Sequence, residues 1–169
     1  LFLDGTAAVA NNTTIWYNTA FTTTTVPIGP HAAINTDGGS YIFYAFKNIQ
    51  GFSQIGEYEG SGARDYGPMI YTGFKPAFVM IRNVDSTGHW LIFDSARNPF
   101  NGDFDYLRAN STDAESNSGL SFVDPVDFFA NGFRVLNYDA WANGSSTYMY
   151  IAFAESPFVT SSGIPTTAR

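Results

Sequence analysis

Thr147-Tyr148-Met149-Tyr150-Ile151-Ala152-Phe153-Ala154-Glu155 is the stretch that decides the fold. β-Branched and aromatic residues dominate it, both alternating faces are apolar, and Asn143-Gly144-Ser145 supplies a turn ahead of it. Such a run reads as a strand in the middle of a sheet, covered on both sides. The pattern occurs twice. Asp37-Gly38-Gly39-Ser40-Tyr41-Ile42-Phe43-Tyr44-Ala45-Phe46-Lys47 has a similar turn, the same Tyr start and the same Ala-Phe near its end. Tyr41 and Tyr148 lie 107 positions apart, and so do Phe46 and Phe153. Both ribbons are expected to be interior strands of successive β units.

The repeat extends beyond the ribbon. Residues 1–52 can be laid on residues 106–158. Both begin with an apolar-Leu pair and pass through a small, polar stretch with alanines. Both then reach an extended segment (Thr24 to Ile28; Gly132 to Leu136) before the ribbon and a following Phe. This alignment divides the chain into 1–50, the closing half of a preceding unit, 51–158, a complete sandwich unit, and 159–169, a C-terminal tail. The alternative is one sandwich that uses similar strands twice.

Composition limits the function classes. The 169 residues are 44% hydrophobic and 17% aromatic, enough for a packed core. Only 14% are charged, so the surface must be largely Thr, Ser, Asn, Gly and Tyr. That balance suits a β-rich extracellular or virion surface. Eight Lys and Arg against a net charge of −7 give no clustered positive charge for nucleic acid or for an anionic membrane. With no cysteine, neither a disulfide nor a thiolate site exists. No apolar stretch reaches the roughly 18 residues of a spanning helix. The start at Leu1 suggests a processed product or a piece of a longer chain.

Along the chain, short strands recur between Gly, Pro, Asn and Ser turns. Expected strands are Leu1 to Asp4, Ile15 to Tyr17, Tyr41 to Ile49, Gly51 to Tyr58, Met69 to Thr72, Ala77 to Arg82, His89 to Asp94 and Phe104 to Ala109. Thr22 to Ile28 reads as extended, with Pro27 placing it at an edge. Ser86-Thr87-Gly88 should close a hairpin, and so should Asn131-Gly132 between Val126 to Phe129 and Phe133 to Leu136. Residues 110–119 read as a loop or one helical turn. No amphipathic helical pattern lasts ten residues. The expected class is all-β, an antiparallel β-sandwich, jelly-roll-like or concanavalin-like, with few or no helices.

These residues also carry a resemblance. Gly51-Phe52-Ser53-Gln54-Ile55-Gly56-Glu57-Tyr58-Glu59-Gly60, then Gly67 to Ile81, is similar to a repeat domain of tailed phages. That domain is common in structural and tail-fibre-like proteins of marine phages. The similarity continues through Trp90 to Arg97, Asp105 to Asn110, Val126 to Phe133 and Tyr148 to Phe158, nearly the whole chain. Final units of that family often end soon after an Ala-Glu-x-Pro-Phe segment with a short tail to Arg, as at Ala154 to Arg169. The resemblance implies the carboxyl end of a virion protein. It carries no established activity, so it assigns no functional residues.

Candidate sites were weighed against plainer readings. Asp94 and Arg97 sit three apart near Trp90, as in some glycan sites; a salt bridge tying down a loop explains them better. Asn101, Asp103 and Asp105 alternate like calcium-loop ligands, but the expected Gly and distal Glu are missing, and strand patterning suffices. His31 and His89 are the only histidines, too few for a structural zinc site without cysteine. No Gly-x-Ser-x-Gly elbow is present and no pair of acids stands out for glycoside hydrolysis, so no enzyme is expected. Asn12, Asn110 and Asn143 match the glycosylation acceptor pattern, which chance explains in so Asn- and Thr-rich a chain.

The function expected is a structural virion module of a tailed phage, in a tail fibre, tail appendage or head-surface protein at the particle surface. It would act by packing and homo-oligomeric assembly, as a homotrimer among other virion proteins. No catalytic residue, cofactor or metal is expected, and neither nucleic acid nor membrane as partner. The alternative is a receptor-binding module for host surface polysaccharide, which exposed Trp16, Trp90 or Trp141 would favour. A tailspike-like hydrolase is a third possibility.

Overall fold

Strand β8 (Thr147–Ala154) lies between β1 (Ser53–Glu59) and β3 (Pro76–Asn83), antiparallel to both. These belong to a five-stranded sheet of order β1-β8-β3-β4-β5, with β4 (Leu91–Asp94) and β5 (Leu107–Arg108). A three-stranded antiparallel sheet has the order β2-β7-β6, from β2 (Met69–Tyr71), β6 (Val126–Phe129) and β7 (Gly132–Val135). The fold is an all-β sandwich, identified here from a computed structural model that describes residues 3, 5–10, 12–16, 19–63, 66–97, 99–102, 105–115, 126–136, 140–159, 165 and 166. A two-residue pair, β9 (Phe158–Val159) with β10 (Pro165–Thr166), follows.

Side-chain alternation puts the core between the two sheets. From β8, Tyr148, Tyr150 and Ala152 are buried, whereas Met149, Ile151 and Phe153 on the opposite face are half-buried. Val79 and Ile81 of β3 and Leu91 and Phe93 of β4 share the inner face and are fully buried. The other sheet contributes Val126, Phe128, Phe133 and Val135. Phe133 meets Tyr150 edge to face at 5.3 Å, and Tyr58 of β1 stacks on Tyr148 at 5.2 Å. Burying one such side chain is worth about 1.5–3 kcal/mol, so these rings dominate the sandwich. Burial pushes the Tyr58 phenol well up, with Tyr148 adding to the effect. It therefore stays a neutral donor to the Ala142 carbonyl at 2.6 Å.

The outer face of β3 carries a buried cation. Arg82 donates to the Gly88 carbonyl at 2.6 Å, to Gly5 at 2.9 Å and to Ala7 at 2.6 Å, and lies 5.6 Å from the Trp90 ring. Val9 donates its N–H to the Val84 carbonyl, and Gly88 donates to Thr6. Residues 5–9 are thus held across the end of β3 by charge-assisted bonds and a short backbone ladder.

Contacts divide the chain into two compact units, Leu1–Val9 with Lys47–Arg169, and Ala10–Phe46. The division falls near the end of the first ribbon, and it groups the first nine residues with the sandwich. In the smaller unit one turn of helix, α1 (Ala32–Asn35), starts at His31, whose Nδ1 accepts from the Ala33 N–H at 3.1 Å.

Several expectations are corrected. Tyr41 to Asn48 forms no ladder among the described residues; it is extended chain, and only Ile49 makes a bridge, to Ser53. A strand needs neighbours as well as β-prone side chains, and here none flanks the ribbon. Of Ile15 to Tyr17, the described Ile15 and Trp16 lie in a turn and a bend. The Asn12 carbonyl accepts from both their N–H groups, and its side chain accepts from Thr14. Such local side-chain bonding competes with a strand ladder. Thr22 and Thr25 close a turn rather than continue one extended run. Leu1, Phe2, Asp4 and Phe104, residues 116–119 and most of the tail lie outside the described residues.

Candidate functional site

Among the described residues, the smaller unit holds the longest run of exposed large apolar side chains. Tyr41, Ile42, Phe43, Tyr44 and Phe46 are 50%, 81%, 56%, 75% and 60% exposed. Exposed apolar patches of this kind mark interaction surfaces more often than single exposed residues do. The ribbon borders a hollow of about 410 Å³ lined by Trp16, Val26, Ile28, Ala33, Ile34, Tyr41, Ile42 and Phe43. Trp16 is 46% exposed and tilts against Phe21 at 6.1 Å.

The ribbon is nonetheless anchored at its start. The Tyr41 hydroxyl accepts from the Thr36 N–H at 2.9 Å and donates to the Ala32 carbonyl at 3.1 Å. Hydrogen bonding to Thr36, by its side chain first and its N–H second, lowers the phenol pKa. The same latch begins β8. The Tyr148 hydroxyl accepts from the Gly144 N–H at 2.8 Å and donates to the Ala140 carbonyl at 2.7 Å. Each tyrosine ties the strand to the loop that precedes it. The repeated Tyr after a Gly-containing turn was the sequence signal, but the backbone partners of its hydroxyl leave no trace in side-chain pattern.

The other candidates resolve into structural roles. Arg97 pairs with Asp94 and Glu115 and donates to the Ile92 carbonyl at 3.3 Å. Asp94 accepts from the Ala96 and Arg97 N–H groups at 3.1 and 2.8 Å. Trp90, the aromatic a glycan site would need, is 5% exposed, and Asp94 and Arg97 fasten a loop, as the plainer reading had it. Partial burial pushes the Asp94 carboxyl up, but the Arg97 amide and guanidinium outweigh it and hold the carboxyl below its ordinary value. A lowered folded pKa stabilises the fold above the unfolded value of about 3.9, and that contribution disappears as pH falls through the folded value. Asp94→Asn should therefore flatten the acid limb of stability, read as urea midpoint against pH from 5 down to 2.5. An unchanged limb would assign it to other carboxylates.

Asn101 faces the backbone of β6. Its carboxamide accepts from the Phe128 N–H at 2.9 Å and donates to the Phe128 carbonyl at 3.0 Å. One side chain thus satisfies both backbone groups on the open edge of β6, as a neighbouring strand would. Asn48 does the same for Ile55 on β1, at 2.6 and 3.2 Å. Asn101→Ala should leave both Phe128 groups without this partner and cost about 1–2 kcal/mol of unfolding free energy by urea titration. Asp103 lies outside the described residues, and Asp105 is half-buried. Among the described residues no cluster of three or more His, Asp or Glu could hold a metal.

His31 caps α1, and half-buried His89 meets the Trp141 edge at 5.5 Å, its Nδ1 without a hydrogen-bond partner among the described residues. Trp141 is itself half-buried, and the Arg108 guanidinium lies over its ring at 4.7 Å. Arg108 also reaches Tyr106 at 3.2 Å and Asp113 at 2.7 Å. Of the three glycosylation patterns, Asn143 is fully buried and bonded to Ser61 and Ala63. It cannot accept a glycan in the folded protein.

A family model described as "Domain of unknown function (DUF7483)" matches residues 1–157. No curated protein and no solved structure matches.

Proposed function

We propose, for a chain that belongs to the DUF7483 family, a structural role in the virion of a tailed phage: a β-sandwich module that works by packing against like modules in a tail fibre, tail appendage or head-surface protein. The observation that carries this reading is the exposed ribbon from Tyr41 to Phe46 beside its hollow. Leaving so many aromatic side chains in water costs hydrophobic free energy unless assembly covers them. The resemblance read in the sequence to phage tail-fibre-like repeats supports a virion as the setting of that assembly. Symmetric fibres favour a homotrimer. Native mass measurement tests the assembly: a three-chain species is expected, and a monomer of 18.5 kDa persisting at high concentration overturns it.

A second reading, recognition of host polysaccharide, has one favourable feature. Trp16 is 46% exposed and lines the hollow. Trp90 is buried and Trp141 already carries Arg108 on its face, so neither offers a free sugar platform. Packing is therefore the preferred function.

A further inference from the structure

The smaller unit repeats several features of the later half of the sandwich at a fixed spacing, although none of its described residues lies in a strand. Phe129 pairs with Gly132 where β6 turns into β7. Thr22 donates to Thr25 in the same way, and each residue of that turn lies 107 positions before its counterpart. Ile28 and Val26 fall 107 positions before Val135 and Phe133, both fully buried core residues of β7. Tyr41 falls 107 positions before Tyr148, and the backbone partners of its hydroxyl, Thr36 and Ala32, fall 108 positions before Gly144 and Ala140. Sequence counterparts of the end of β6, of β7 and of β8 are thus present, although none of them forms a ladder here. Counterparts of β1 and β3, the strands that flank β8, are not found among the described residues of 10–46.

The hollow shows what is missing. Its walls include Val26, Ile28, Tyr41 and Phe43. In the sandwich, the corresponding Phe133, Val135, Tyr148 and Tyr150 are covered from β1 and β3, where Tyr58 stacks on Tyr148 and Ile81 and Val79 line the same face. Side chains like Tyr58, Val79 and Ile81 would cover the matching face of the ribbon; Ile42, which also lines the hollow, corresponds to Met149 on the outer face of β8.

We infer that Tyr41 to Lys47 is the closing strand of a second sandwich, inserting between β1-type and β3-type strands of another unit of this family that has no closing strand of its own. This rests on the packing role proposed above and assigns the ribbon to a unit of that kind, so a homotrimer would assemble through other surfaces. A second copy of this chain is a poor donor, because its β1 and β3 already flank its own β8. Insertion would use the backbone groups of the ribbon in two ladders and bury its aromatic face, the β-augmentation mode of recognition.

The test supplies the missing half from the chain itself. A copy of residues 51–107, holding β1 to β4 and the first residue of β5, is placed directly before residue 1 of the full chain, which keeps the 107-residue spacing. Amide hydrogen exchange is followed at residues 41–47 and, as an internal control, in β8. In the unextended chain the 41–47 amides should exchange nearly freely. In the extended chain they should slow by about 100-fold or more, as amides of a closed sheet do. Ala45 corresponds to fully buried Ala152. Ala45→Arg in the extended chain should abolish the new protection and leave β8 protected.

Three results would overturn the inference. One is unchanged exchange at 41–47 in the extended chain. Another is loss of β8 protection there, meaning that the added half takes the resident strand. The third is concentration-dependent protection of 41–47 in the unextended chain, which would make a second copy the partner. A monomeric native mass would refute the homotrimer and leave this exchange result standing on its own.

Discussion

Replacing Tyr148 by alanine should cost about 4 kcal/mol of unfolding free energy, the range of large aromatic deletions from a packed core. That is a large share of the roughly 5–15 kcal/mol that holds a domain of ordinary stability together. Tyr148 is fully buried in the central strand, its ring stacks on Tyr58 at 5.2 Å, and its hydroxyl joins Ala140 to Gly144. Three losses therefore coincide: ring burial, a stacked partner and the latch. Tyr148→Phe separates them. It keeps the ring and leaves a carbonyl and an N–H without their phenol, at a cost of about 1–3 kcal/mol. Urea titration of both variants gives the partition. If Phe proved as damaging as Ala, the latch rather than the ring would hold the strand.

Gly67→Ala should be nearly as severe, about 3 kcal/mol, from adding a single methyl group. A Cβ there would fall 1.5 Å from the Val135 carbonyl oxygen and 2.9 Å from the Asn143 carboxamide nitrogen. Neither obstacle is the loose end of a mobile side chain: the oxygen is backbone of β7, and Asn143 is buried and bonded on several sides. The chain at 67–68 would have to lift from β7, with loss of the Val135 N–H bond to the Pro68 carbonyl at 3.1 Å. Gly88→Ala is the matched control, because its Cβ would meet nothing nearer than Asn83 Cβ at 3.9 Å. It should change stability by less than about 0.5 kcal/mol. Equal effects at the two positions would mean that glycine's backbone freedom, not the close approach, is what matters at Gly67.

What was legible in the sequence was local. β3, β8 and the β6–β7 hairpin were readable because side-chain alternation and turn residues specify them over a few positions. The first ribbon was misread for the opposite reason. Tyr41 to Phe46 has the composition of β8, yet a ladder depends on chain that is distant in sequence or in another molecule. Arg82 gave no warning either. A lone arginine in an apolar run identifies neither the carbonyls of Gly5, Ala7 and Gly88 nor the covering segment. Asn101 and its acidic neighbours alternate as ion ligands do, and alternation alone cannot distinguish a cation from a backbone edge. Trp90 beside Asp94 and Arg97 had the residue types of a sugar platform, but burial decided against it.

The carboxamide that closes the β6 edge has a chemical lifetime. Asn101 precedes Gly102, the neighbour that least hinders attack by the following backbone nitrogen on a side-chain amide. Loss of ammonia by that route closes a cyclic imide, and water then opens it to a carboxylate, which has oxygens to accept with and no N–H to donate. The Phe128 carbonyl would then face negative charge where it had a donor, and the strand edge would be open to another chain. Ageing of the protein at this one position would thus convert a guarded border into an adhesive one, without any change in the core.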